Sequence, residues 1–82
     1  MTHKEDPMED ARIQRLKEQK QDLEKQVSLN PFARGHWVQL GNVCRQLGEV
    51  ERAIEAYKKA LELKQDDSFT KNILAELEGK TG

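Results

Sequence analysis

One cysteine, two prolines and four aromatic residues in 82 positions leave little material for several kinds of protein. With Cys44 alone, no disulfide can form within the chain, and nothing points to an oxidising compartment. A sandwich or barrel needs turn residues every few positions and many β-branched ones, and the two prolines and five glycines do not supply them. No apolar run approaches the roughly 20 residues of a membrane span. Met1-Thr2-His3-Lys4-Glu5-Asp6 is no secretory signal, so cytoplasmic is the default compartment. An excess of one charge is missing too. Fourteen basic residues face 15 acidic ones for a net charge of −1, which gives no general electrostatic footprint for nucleic acid or an anionic membrane. His3 and His36 have no metal-ligand spacing, and no second cysteine accompanies Cys44. No metal, no cofactor, no nucleic acid and no membrane are expected as partners.

What is present is charge in quantity: 35% of residues are charged and 35% hydrophobic, against an ordinary charged share of roughly 25%. Helices with one apolar stripe and a wide solvated face fit that balance, so the chain is expected to be all-α, with about four helices. The first runs from about Pro7 to Ser28. Asp6 can cap it, Pro7 suits the first helical position, and Glu9 can complete a capping box. Its stripe is Ile13, Leu16, Leu23 and Val27, with Lys20 in the middle position. It stops before Asn30-Pro31, because a residue preceding proline is pushed out of helical geometry. A second helix, from Phe32 or Arg34 to Leu47, carries Trp37, Leu40, Cys44 and Leu47 along one side, and Gly48 closes it. The third begins at Glu49 or Val50, ends near Lys64, and turns Ala53, Ile54, Tyr57, Ala60 and Leu61 inward, with Glu55 and Lys59 as an exposed pair. Asp66-Asp67-Ser68 is a cap-rich break. A shorter fourth helix follows, with Phe69, Ile73, Leu74 and Leu77 on its face. One helical domain over residues 7–78 is expected, between a disordered segment 1–6 and a flexible tail 79–82.

In the middle two helices the order of residue sizes says more than the periodicity. Two antiparallel helices joined by a short turn bring their axes close where small residues meet, and Gly41 facing Ala53 would provide such a crossing. Trp37 and Tyr57 would fill the flanks, and Ala60 would leave room for a neighbouring helix. At these positions the sequence resembles the tetratricopeptide repeat, a 34-residue helix pair with a large residue, leucine and glycine in its first helix and alanine, an aromatic and alanine in its second. Residues 34–67 cover one such unit: Trp37, Leu40, Gly41, Gly48, Ala53, Tyr57 and Ala60 fall at matching spacings. Cys44 stands where an aromatic is usual and Gln65 where the closing proline would be. Carried backwards, the register puts Gln19 and Gln26 where alanines belong; carried forwards, it puts Lys71 at the tryptophan position, with Leu74-Ala75 as the only good echo. One full repeat is therefore expected, with non-repeat helices on either side acting as caps, or a second copy of the chain in that role. One unit cannot bury its hydrophobic faces alone.

No catalytic constellation survives inspection. Cys44 lacks a base, since His36 lies eight residues away, about 12 Å along a helix. Asp66 and Asp67 are accounted for by capping, and the glycines form no phosphate loop, although Gly35 has no assignment. In the resembled family the first helices of successive repeats line a concave groove that holds extended peptides. The resemblance therefore implies groove positions at Val38, Asn42 and Arg45, with Gln39 and Gln46 at the edges. Some members hold a C-terminal carboxylate with a lysine and an asparagine one turn later; here Asn42 is present but Val38 stands at the lysine position. Two functions follow as expectations. The first is a non-catalytic interaction module that binds a peptide or partner helix. The alternative is a structural element that forms a homo-oligomer through unpaired repeat faces or through the stripe Ile13, Leu16, Leu23 and Val27, which repeats as a short coiled-coil seam would.

Overall fold

The computed structural model describes residues 7–81, so the expected capping role of Asp6 and the expected disorder of segment 1–6 lie outside the described residues. Four helices follow one another: α1 (Pro7–Leu29), α2 (Arg34–Gln46), α3 (Val50–Leu63) and α4 (Ser68–Thr81). No strand occurs among the described residues. Each helix packs mainly on its neighbour in sequence, α1 on α2, α2 on α3 and α3 on α4. The result is an elongated slab of 46 × 31 × 16 Å. α4 continues through the Gly79–Thr81 stretch, where the sequence reading places a tail.

The turns are built from the residues the sequence offers for them. Asn30 closes α1, its amide donating to the Gln26 carbonyl at 2.9 Å, while its own side-chain oxygen accepts from the Phe32 amide at 3.2 Å. α2 ends in a full Schellman motif. The Glu49 amide donates to the Cys44 carbonyl at 2.9 Å and the Gly48 amide to the Arg45 carbonyl at 3.1 Å. Gly48 alone among the described residues has positive φ, at 80°, which is why a glycine stands there. Asp67 caps α4 through its side chain: its carboxylate accepts from the Thr70 amide at 3.4 Å and from the Thr70 hydroxyl at 2.6 Å. Arg34, at the start of α2, pairs with the same carboxylate and ties the first turns of α2 and α4 together.

The core is one cluster running through all four helices. Leu40, Cys44, Ala53, Ala56 and Tyr57 are fully buried at its centre, and Trp37, Val43 and Ala60 join them. The indole N–H of Trp37 donates to the Pro31 carbonyl at 2.8 Å, satisfying the polar end of a buried ring. From α1 come Leu16, Leu23 and Val27; from α4 come Ile73 and Leu77. Leu16, Leu23 and Val27 of the α1 stripe are thus covered within the chain, where α1 packs on α2, while Ile13 is half-buried and stands outside the cluster. Lys20, in the middle of that stripe, reaches Glu49 at the start of α3, and Glu24 accepts two hydrogen bonds from Arg52. These two pairs tie α1 to the α2–α3 turn and resolve the place of a lysine among apolar positions.

Some details differ from the sequence reading. The ring of Tyr57 stands nearest to Gly41, where the sequence reading set Ala53: a Cβ built on Gly41 would sit 2.6 Å from the Tyr57 Cε1. Phe69 is 63% exposed, while Thr70 is fully buried. One turn before Ile73 the stripe could continue at 69 or 70, and it continues at Thr70, seven residues before Leu77. The capping bond from Asp67 lets a hydroxyl sit there. Finally, Glu55 pairs with Arg52 and Lys59 with Glu62, in place of each other. Leu61, assigned to the core, is half-buried.

Candidate interaction groove

A cleft of about 330 Å³ opens between α1 and α2, lined by Gln19, Asp22 and Leu23 from one helix and Gln39, Asn42 and Val43 from the other. Its floor is set by the core. Leu23 and Val43 are both buried side chains that close the gap between the two helices. Three carboxamides and one carboxylate stand above that floor, and carboxamides both donate and accept hydrogen bonds. A polypeptide backbone offers the complementary groups, one donor and one acceptor per residue.

Of the five groove positions implied by the repeat register, the cleft takes in Gln39 and Asn42. Val38 is half-buried and packs against the core, and Arg45 and Gln46 are exposed further along α2. Asn42 is less free than its register position suggests. Its side-chain oxygen accepts a hydrogen bond from the fully buried Tyr57 hydroxyl at 2.5 Å. Its side-chain N–H groups are the donors left for a ligand. Burial pushes the Tyr57 phenol above its ordinary value, and the nearby Arg45 guanidinium partly offsets this. Neither Gln19 nor Asp22 was found by sequence reasoning. They belong to α1, outside the repeat, and only its docking on α2 brings them to the groove.

The remaining reactive groups are used structurally. Burial raises the Cys44 thiol above its ordinary value, the Lys20 ammonium lowering it in part. A buried, protonated thiol reacts slowly. Cys44 should therefore resist a thiol reagent in the folded protein and react rapidly in denaturant. Stopped-flow labelling checks this, and fast reaction of the native protein would show that the α2–α3 contact opens. The folded-state thiol titrates above the unfolded one, so its contribution to stability is complete below the unfolded value. It is lost as pH rises through the folded value. The Lys20 ammonium is raised by its hydrogen bond to Glu49. Among the described residues no three His, Cys, Asp or Glu side chains converge as metal ligands would, and no helix is long and apolar enough to cross a membrane.

Comparison with known proteins agrees with the helix pair. Residues 36–67 match the model of the tetratricopeptide repeat family, a stretch that runs from the third residue of α2 through the Gly48 turn and α3 to the cap of α4. No curated protein matches the chain in sequence at a significant level. Tetratricopeptide repeats generally mediate protein–protein interactions and are typically not enzymes. The match and the close approach of α2 and α3 at Gly41 and Tyr57 together mark this helix pair as similar to a tetratricopeptide repeat.

Proposed function

We propose that this chain is a non-catalytic protein-interaction module that receives an extended peptide or partner helix along α2, over Val38, Gln39, Asn42, Arg45 and Gln46, with α1 as the second wall. The observation that carries the reading is the cleft itself: Gln19, Gln39 and Asn42 converge on one open space above an apolar floor. Each carboxamide can meet a peptide backbone group, and an ordinary net hydrogen bond of about 0.5–1.5 kcal/mol corresponds to roughly a two- to twelvefold change in affinity.

The test selects peptides from a displayed random library on the immobilised protein and measures their affinities for variants. Gln39→Ala and Arg45→Ala remove exposed groups, so each should weaken binding roughly two- to twelvefold while shifting the melting point little. Asn42→Ala behaves differently, because it strands the buried Tyr57 hydroxyl and should cost about 1–3 kcal/mol of stability as well. In a Tyr57→Phe background that extra cost should shrink while the loss of binding stays. Selected peptides that bind all three variants as tightly as the parent would place recognition elsewhere on the molecule.

A second reading, self-association into a homo-oligomer, rests on a different observation. Of the five exposed large hydrophobics among the described residues, Leu29 and Phe32 flank the α1–α2 turn, and Leu63 and Phe69 flank the α3–α4 turn. The Arg34–Asp67 pair holds these two turns at the same end of the slab. Solution mass across concentration separates this reading from a monomeric module.

A further inference from the structure

We propose that the groove prefers a peptide carrying a lysine or arginine side chain that reaches Asp22, and disfavours acidic segments; this rests on the groove reading above. Among the described residues Asp22 is the only charged one lining the cleft, the other polar lining groups being carboxamides. Several cations of these helices are already paired. Lys20 is paired with Glu49, Arg52 with Glu24 and Glu55, and Arg34 with Asp67. Asp22 has no ion-pair partner among the described residues, although Lys25 stands three positions further along the same helix. Of the two cations of α2, Arg34 is paired with Asp67, while Arg45 lies outside the lining and draws the Tyr57 phenol downward. It stands six residues beyond Gln39, about 9 Å along the helix.

An occupant lying over Leu23 and Val43 therefore meets a carboxylate with unused hydrogen-bonding capacity. The cationic head of a lysine or arginine can stay hydrated while its stem lies along the apolar floor. Position 38 reinforces the preference from the other side. A valine there, half-buried in the core, supplies no positive charge to hold a carboxylate beside Asn42. The lining of the cleft, with Asp22 and no cation, thus carries the opposite charge to one that holds acidic chain ends.

Three blocked octapeptides test this, identical in alternating serine and leucine except for a central lysine, glutamine or glutamate. Each is titrated into ¹⁵N-labelled protein, and the side-chain amide signals of Gln19, Gln39 and Asn42 are followed. The lysine peptide should bind roughly two- to fivefold more tightly than the glutamine peptide, the range of an exposed ion pair, and the glutamate peptide more weakly than either. Asp22→Asn should abolish the advantage of lysine, the lysine and glutamine peptides then binding alike. High salt should narrow the difference, since the pair is exposed. Equal affinities for lysine and glutamine, or an advantage that persists in Asp22→Asn, would overturn the charge preference and leave the groove standing. Tightest binding of the glutamate peptide would overturn it in favour of Arg45 as the selecting charge. If none of the three moves those amide signals, the groove reading itself falls, and the preference with it.

Discussion

Replacing Gly41 with alanine should lower the melting point by about 5–20 °C, a large effect for one methyl group. The Cβ would lie 2.6 Å from Cε1, 2.7 Å from Cδ1 and 2.8 Å from Cζ of Tyr57, all atoms of a ring. A flexible chain end could step aside, but this ring is fully buried and its hydroxyl is bonded to Asn42. The ring must shift and pull on that bond, or α2 and α3 must separate. Overpacking of this kind costs about 1–3 kcal/mol, and domains of this size lose roughly 4–8 °C per kcal/mol. Gly35 supplies the control. It lies in the first turn of the same helix, nothing stands within 4 Å of its Cβ position, and alanine there should leave stability unchanged or raise it by up to about 1 kcal/mol. A double variant adds the cause: in a Tyr57→Leu background, Gly41→Ala should cost much less, because the two positions are in contact. Thermal melts of these variants decide the matter, and equal midpoints for Gly41→Ala and Gly35→Ala would mean that the helices do not close on Gly41.

The same crossing shows where sequence reasoning reached and where it stopped. That Gly41 and Ala53 are small is plain in the sequence, as is the need for a close approach. Which side chain occupies the space left by Gly41 depends on the rotation of α3 about its own axis, and the answer is Tyr57. Helix rotation also explains Phe69. Hydrophobicity alone turns it inward, yet with Ile73 and Leu77 buried the inward position is 70, where Asp67 holds the Thr70 hydroxyl. Most helix limits, by contrast, were legible to within a residue or two, because Asn30-Pro31, Gly48 and Asp67 act within a few positions of themselves; α4, expected to be shorter, has no such stop signal and runs to Thr81, as long as α3.

Long-range pairs were invisible for the converse reason. Lys20 looked like a flaw in an apolar stripe, and its partner Glu49 is 29 residues away. Gln19 and Asp22 looked like ordinary solvated residues of a charged helix. Their part in the cleft comes from α1 docking against α2, which its own pattern permits but does not dictate. Asn42 carried two roles at once: the register marked it as a groove residue, and only the fold shows its oxygen bound to Tyr57. Groove and core are therefore coupled at this residue, and binding measured on Asn42→Ala alone mixes the two.

The docking of α1 leads to the other large effect. Leu16→Ala or Leu23→Ala should destabilise the chain by about 2–5 kcal/mol, the cost of removing a large aliphatic side chain from a packed site. Both leucines are buried, at 7% and 9% exposure, although α1 belongs to no clear repeat. A domain of this length has roughly 4–12 kcal/mol in all, so either truncation removes a large share. How the melting point depends on concentration identifies what the leucines pack against. With α1 folded over α2 of its own chain, the midpoint stays the same over a hundredfold dilution, in parent and variants alike, and solution mass is that of one chain. If the stripe served as a seam between chains, the parent would melt higher at high concentration, and Leu16→Ala would dissociate a dimer. The two outcomes also differ at Lys20. Lys20→Ala breaks the pair with Glu49, which ties α1 to the turn before α3 in the same chain, so it should lower an intramolecular midpoint modestly, by up to about 1 kcal/mol. In a seam the same change removes a charge from an apolar contact and should strengthen association. Opposite signs for one substitution make the choice independent of absolute stability. If neither leucine variant shifts the midpoint, α1 does not cover α2 at all, and the repeat needs its cover from another chain.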